Sequence, residues 1–230
     1  MRSVKYDYVL RGAAETAGRV YTNLLADEAD LFRGFISRRL REAWESQFWP
    51  ELMVIEERTV SSNDTFPYSA TDKTDIGEVL RVTDADPRET YKLKTYDFNL
   101  TDAGVNIPNI STTATAFIEF RKRAPMLTGS TWASGTYTAG TQVYHSTEGD
   151  FFDTASSTSA EPPASPWVKL DIPWIFKAYL EWAAAADMLL LDEKPDLASI
   201  QKLQADEAIA REMAKIRQQS QHTNILIRTR

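Results

Sequence analysis

The sequence contains no cysteine and only two histidines, His145 and His222. Without cysteine the chain has no disulfides, no thiolate zinc site, no iron–sulfur cluster and no cysteine nucleophile. A serine nucleophile commonly needs a histidine or another base beside it. We expect both histidines to be solvated, since one lies in a turn-rich region and the other near the last residue of the sequence. The sequence therefore predicts a protein that is not an enzyme.

Long apolar runs and phosphate-binding loops are also lacking. No stretch of eighteen apolar residues occurs, which predicts no membrane contact. No glycine-rich phosphate loop of either common type is present. The pair Asp84 and Asp86 is the one metal candidate, but Pro87 makes a turn the simpler interpretation. Glu56 and Glu57 are neighbours on a predicted strand and point to opposite faces. We therefore predict no cofactor and no metal.

An excess of positive charge is missing from the chain as a whole. The net charge of −7 argues against a protein that coats nucleic acid. The charge is unevenly distributed, however, because no acidic residue follows Glu212. The positive residues beyond it are Lys215, Arg217, Arg228 and Arg230. The sequence thus places a basic tail on an acidic body.

Helical periodicity is clear at both ends of the sequence. Apolar residues at spacings of three and four predict a helix over residues 24–49, and a shorter one over 7–17 that Gly18 closes. Near the C-terminus, a broad apolar face over 175–191 and a capped helix over 197–219 predict a helical hairpin. Between these regions, weaker patterns predict short strands at residues 51–57, 78–82, 90–96 and 115–121.

Residues 128–168 differ in composition from the rest of the chain. They are rich in Ser, Thr, Gly and Pro, yet they carry the aromatic residues Trp132, Tyr137, Tyr144, Phe151, Phe152 and Trp167. A flexible linker would not contain so many large aromatics, which predicts an inserted β-module. The rings of Trp132, Tyr137 and Trp167 either form the core of the module or face a glycan. Core packing is the favoured interpretation, because forty residues need nearly every aromatic to build a core.

The expected fold class is α+β. The body is a helical bundle, made of the long N-terminal helix and the C-terminal hairpin, with short β-strands and an inserted small β-module. The predicted domains are a helical body with short strands over 1–127 and 169–219, the module over 128–168, and a C-terminal tail over 220–230. The tail combines its positive charges with an apolar cluster of Ile225, Leu226 and Ile227, which predicts a docking segment.

Several stretches outside the insertion carry a resemblance to a known family. They are Leu40-Arg41-Glu42-Ala43-Trp44-Glu45, Phe48-Trp49-Pro50-Glu51-Leu52, Glu56-Glu57-Arg58, Ile76-Gly77-Glu78-Val79-Leu80, Asp84-Ala85-Asp86-Pro87, Ile118-Glu119-Phe120-Arg121 and Asp171-Ile172-Pro173-Trp174-Ile175-Phe176-Lys177-Ala178-Tyr179-Leu180. Together they resemble the head-to-tail connector (adaptor) proteins of tailed bacteriophages.

The resemblance implies a ring of twelve copies at the head–tail junction of the virion. Such a ring docks on the portal protein through its C-terminal segments, receives a tail or stopper protein below, and lets double-stranded DNA pass without reading its sequence. The docking residues in this chain would be Lys215, Arg217, Ile225, Leu226, Ile227, Arg228 and Arg230. The protein would be made in the host cytoplasm.

The insertion carries a second resemblance. The pattern runs from Trp132 to Trp167, through Tyr137, Gly140, Val143, Tyr144, Gly149, Phe152 and Pro162, and it is similar to small chitinase-type carbohydrate-binding modules. It implies an alternative function, a carbohydrate-binding or host-adhesion component of the tail. In that case Trp132, Tyr137 and Trp167 would face the glycan.

Overall fold

The computed structural model describes residues 2–61, 65–66, 76–89, 92–108 and 113–228, without the side chains of residue 66 and of residues 219–228. The chain divides into two compact units. The first unit contains Met1–Ser46 and Pro125–Arg230, and the second contains Gln47–Ala124. The polypeptide therefore starts in the first unit, leaves it to build the second, and then returns.

Along the described residues, two helices near the start and two at the end flank most of the strands. The helices are α1 (Tyr6–Thr16), α2 (Ala26–Glu45), α3 (Lys177–Leu191) and α4 (Pro195–Arg228). The strands are β1 (Ser3–Val4), β2 (Met53–Val60), β3 (Thr65–Phe66), β4 (Ile76–Thr83), β5 (Thr95–Tyr96), β6 (Asn99–Thr101), β7 (Gly104–Asn106), β8 (Ala114–Lys122), β9 (Ser130–Thr131), β10 (Gln142–His145), β11 (Asp150–Thr154), β12 (Trp167–Lys169) and β13 (Ile172–Pro173).

The first unit is built around α3. This helix contacts α1, α2 and α4, and it is buried on most sides. Its sequence is almost entirely apolar, as a helix surrounded by neighbours requires. The predicted end of α1 is confirmed, because Gly18 follows it with φ +77° and Arg19 N donates to Ala14 O at 2.8 Å. At the start of α2 the Glu28 carboxylate accepts a hydrogen bond from Leu25 N at 3.2 Å.

The first unit also contains two sheets. One is the short antiparallel pair β1 and β13. The other has the strand order β12-β11-β10-β9, in which β9 and β10 are parallel and the remaining pairs antiparallel. Val143, Phe152 and Trp167 form a buried cluster on this larger sheet. Residues 128–168 thus contain a small β-structure with aromatic packing of its own.

The second unit is a β-structure. An antiparallel sheet has the order β2-β8-β4-β5, and a smaller one the order β3-β7-β6. Its core consists of Val60, Ile76, Val82, Val105, Ile107, Ala116, Ile118 and Phe120. The register between β4 and β8 shifts between Ile76 and Glu78. Gly77 lies at this irregularity, where a Cβ would come within 3.0 Å of the Arg121 carbonyl oxygen, so glycine suits the position.

The predicted helical-bundle body is wrong. The described residues form four sheets beside the four helices, giving a sheet-rich fold with a C-terminal helix pair. The apolar periodicity of the long helices is strong in the sequence, whereas that of each short strand is weak. Strands such as β2 and β8 also pair across a long sequence separation, so their sheet could not be predicted from local patterns. The last helix also continues through Arg228, beyond the predicted end at residue 219.

Candidate functional site

The C-terminal helix is much longer than the helix it packs against. At about 1.5 Å per residue, the 34 residues of α4 span roughly 51 Å and the 15 residues of α3 roughly 22 Å. Three small side chains, Ala198, Ala205 and Ala208, are buried on α4. From residue 209 to residue 218, the last whose side chain the structure describes, none is fully buried. The second half of α4 therefore extends beyond the start of α3 as an arm.

The predicted docking residues lie on or next to this arm. Lys215 is exposed and pairs with Glu212 at 2.6 Å, and Arg217 is also exposed. The backbone of the segment with Ile225, Leu226, Ile227 and Arg228 is helical, but their side chains are outside the described residues, as is Arg230 entirely. The docking role stays a prediction.

Five large aliphatic side chains are exposed around the turn between α3 and α4. Each has between 49% and 58% of its surface accessible, and they are Leu190, Leu191, Leu197, Ile200 and Leu203. We call this set the hairpin patch. Clustered exposed apolar side chains mark protein interaction sites in soluble proteins. Leu190 and Leu191 belong to the broad apolar face predicted over 175–191, and both are exposed because α3 ends at Leu191.

Two of the three predicted glycan-facing residues are in contact. Trp167 is only 7% exposed and meets the ring of Tyr137 edge to face, with the ring centroids 5.4 Å apart. Trp167 Nε1 donates to the Ala160 carbonyl at 2.7 Å, and the Tyr137 hydroxyl donates to the Ala133 carbonyl at 2.7 Å. Both rings therefore serve the interior of the small sheet, which favours the core interpretation. Glycan binding by these residues stays a prediction.

Trp132, the third predicted residue, packs against His145. Their ring centroids are 5.5 Å apart in an edge-to-face arrangement. His145 is 5% exposed, so the expectation that it is solvated is wrong. It lies at the end of β10, and its Nε2 is 3.0 Å from Glu161 Oε1. Side chains alternate between the two faces of β10, and this alternation points His145 inward. The strand is too short for the sequence alone to reveal the pattern.

A cavity of about 270 Å³ lies where α1, the start of α2 and the small sheet meet. We call it the tyrosine cavity. The side chains that give it its chemical character are Tyr6, Tyr21, Asp30, Arg33, Tyr144 and Phe151. Sequence reasoning missed this site, because its residues come from three separate segments and each resembles an ordinary core or surface position.

Hydroxyl groups in the tyrosine cavity converge on Asp7. The Tyr144 hydroxyl donates to Asp7 Oδ1 at 2.6 Å, and the Tyr21 hydroxyl is also hydrogen-bonded to Asp7. Burial raises the pKa of Tyr6, Tyr21 and Tyr144, and the carboxylate of Asp7 adds to the rise for each. All three phenols therefore stay protonated and neutral across the physiological range.

The wall of the cavity is fixed by contacts between the small sheet and the start of α1. Asp150 Oδ1 accepts a hydrogen bond from Tyr6 N at 2.8 Å, and the Gly149 carbonyl accepts one from Asp7 N at 3.0 Å. Lys169 pairs with Asp150 at 2.9 Å. Burial nevertheless raises the pKa of Asp150 above its ordinary value. These contacts satisfy amides that the first turn of a helix leaves free.

The predicted carboxylate pair in the second unit forms a turn. Asp86 accepts hydrogen bonds from Arg88 N at 2.8 Å and from Arg88 Nε at 2.9 Å, and Arg88 holds the pKa of Asp86 below its usual value. Asp84 Oδ1 accepts from Lys94 N at 2.8 Å. Within the described ranges, no cluster of three potential metal ligands occurs.

None of the helices in the described part of the chain has the length and apolarity that crossing a membrane requires. No family model matches the sequence, and no curated protein matches it.

Proposed function

We propose that this chain is a structural head-to-tail adaptor of a tailed phage, which forms a ring of twelve copies between the portal and a tail or stopper protein. The observation that carries the proposal is the arm of α4. Helix α4 extends past α3 by about half of its own length. Such an extension exposes surface without gaining stability, unless another protein binds to it. A portal protein that binds the arm would give this surface its role.

The charge distribution supports the same proposal. The arm lies in the segment after Glu212 that holds only positive charges, whereas the chain as a whole carries −7. An acidic body lets double-stranded DNA pass without gripping it, since phosphate binding needs positive surface. A basic arm suits an acidic groove on the portal.

The hairpin patch supports assembly into a ring. Copies in a ring meet through two different surfaces, side to side, and each surface must bury apolar area. The patch supplies five exposed aliphatic side chains for one of these surfaces. In this role the protein acts by binding in the virion and catalyses no reaction.

Electron microscopy and native mass spectrometry of the protein mixed with its portal test the proposal. We expect a complex of portal and a twelve-copy ring, and we expect deletion of residues 220–230 to abolish it while the subunit stays folded. The double variant Lys215→Ala/Arg217→Ala should weaken the complex. Arg41→Ala is the matched control, because it removes an exposed positive charge from α2. A protein that stays monomeric with the portal, or docking that survives the deletion, contradicts the proposal.

A further inference from the structure

The tyrosine cavity has the position and size of a small-ligand site. It lies where two layers of the first unit meet, a common place for ligand pockets. Its volume of about 270 Å³ lies just below the usual range for drug-sized pockets, about 300–1,000 Å³, so it suits a ligand of about one ring.

Aromatic rings make up much of its wall. Tyr6 meets Phe151 edge to face at 4.9 Å between centroids, and it meets Tyr144 at 5.7 Å. Tyr21 comes from the turn before α2. Phenol rings offer a flat apolar face together with a polar hydroxyl group. A ligand that fits such a wall has apolar C–H faces and polar groups on its edge.

The two charged side chains that line the cavity are paired with each other. Arg33 Nη2 meets Asp30 Oδ1 at 2.9 Å, so neither of these lining charges is left free for an ionic ligand. The Asp30 side chain is 63% exposed and keeps acceptor capacity for a ligand. Thr131 adds a hydroxyl group to the lining. A carboxylate and a guanidinium side by side can accept from one hydroxyl group and donate to its neighbour.

We infer that the tyrosine cavity binds a neutral sugar ring, as a free monosaccharide or as the end of a glycan. The apolar faces of the sugar stack on Tyr21 and Tyr144, which are partly exposed, and adjacent hydroxyl groups bond to Asp30 and Arg33. This site is separate from the predicted glycan face at Trp132, Tyr137 and Trp167. It is independent of the adaptor role.

Saturation-transfer NMR on the full-length protein tests the inference. The probes are glucose, galactose, mannose and N-acetylglucosamine, their β-linked dimers, and adenine as a flat aromatic ligand without a sugar ring. We expect at least one sugar to bind, with stronger transfer to its ring C–H protons than adenine receives. A dimer that binds more tightly than its monomer points to a glycan end, and equal binding points to the free monosaccharide.

Variants locate the binding site. Tyr21→Ala and Asp30→Asn should each weaken sugar binding by about tenfold or more. Asp30 is largely exposed, so its variant keeps the fold even if Tyr21→Ala does not. Tyr8→Ala removes an exposed tyrosine from the same helix as Tyr6 and should leave binding unchanged. The inference is wrong if no sugar binds at about 1 mM, if only adenine binds, or if Trp132→Ala abolishes binding while Asp30→Asn does not.

Discussion

Arg39 of α2 holds Asp187 of α3 through two parallel hydrogen bonds, from Nε to Oδ2 at 2.8 Å and from Nη2 to Oδ1 at 2.6 Å. The two residues are 148 positions apart in the sequence. Arg38 adds a third contact to Asp187 Oδ2 at 2.8 Å. The Asp187 side chain is almost fully buried, and its hydrogen bonds raise the pKa of Arg39. The ion pair between Arg39 and Asp187 therefore holds α2 against α3, the central helix of the first unit.

Replacing Asp187 with alanine should strongly destabilise the fold. The variant removes the buried carboxylate that holds the partly buried Arg39 guanidinium through two hydrogen bonds, which costs roughly 3 kcal/mol in free energy of unfolding. Chemical denaturation measures the loss. Glu42→Ala is the control, since it removes the other, more exposed carboxylate that pairs with Arg39 and should cost about 1 kcal/mol or less. Equal losses in both variants would contradict the central role of Asp187.

The tyrosine cavity makes the stability sensitive to alkaline pH. The pKa of Tyr144 is higher in the folded chain than its unfolded value of about 10. A raised pKa contributes stability that is complete below the unfolded value and is lost as the pH rises toward the folded value. The free energy of unfolding should therefore fall between about pH 9 and pH 11, and this fall should be smaller in Tyr144→Phe.

Denaturant titrations at both pH values measure this difference. Tyr8→Phe is the control, because Tyr8 is exposed on α1 and lies outside the cavity lining. Tyr6, Tyr21 and Tyr179 also have raised pKa values and will leave part of the fall in place. Identical slopes in the wild type and Tyr144→Phe would rule out the contribution of Tyr144.

Local sequence signals predicted the helices well. The expected helix over 7–17 is α1 at Tyr6–Thr16, and the hairpin turn before Asp196 separates α3 from α4 as expected. Periodicity and capping are properties of neighbouring residues, so they can be read directly from the sequence. The strand expected at 115–121 is likewise β8 at Ala114–Lys122.

Pairing and assembly of the strands could not be predicted in the same way. In the register of β2 with β8, Met53 faces Arg121, and nothing local in either segment identifies the other. The tyrosine cavity was missed for the same reason, because Tyr6 and Tyr144 meet only after the small sheet packs on α1. The basic arm was easier to find, since its charge excess is a property of one continuous segment.

The hairpin patch should be needed for ring assembly and dispensable for folding. Ile200→Asp/Leu203→Asp places two charges on side chains that are more than half exposed, so the free energy of unfolding should change by less than about 1 kcal/mol. An interface that buries these positions would reject the charges. Native mass spectrometry with the portal should show subunits without a ring.

Lys202→Asp, which changes an exposed position on the same helix, is the control. A double variant that still forms the ring places the side-to-side contact elsewhere.

Gly149 should tolerate a methyl group worse than Gly140, although both have positive φ angles, +68° and +80°. Alanine costs about 1 kcal/mol at either position because of this backbone conformation. At Gly149 a Cβ would also come within 2.7 Å of Asp7 Oδ2, whereas nothing lies within 4 Å at Gly140. Asp7 cannot easily retreat, because its amide donates to the Gly149 carbonyl and its carboxylate accepts from Tyr144. Gly149→Ala should therefore lose roughly 1–3 kcal/mol more than Gly140→Ala.

In a double-mutant cycle, Asp7→Ala should recover part of that difference by removing the side chain that the new methyl meets. Equal losses at the two glycines, or additivity in the cycle, would show that the close approach of the small sheet to α1 is not what requires glycine at position 149.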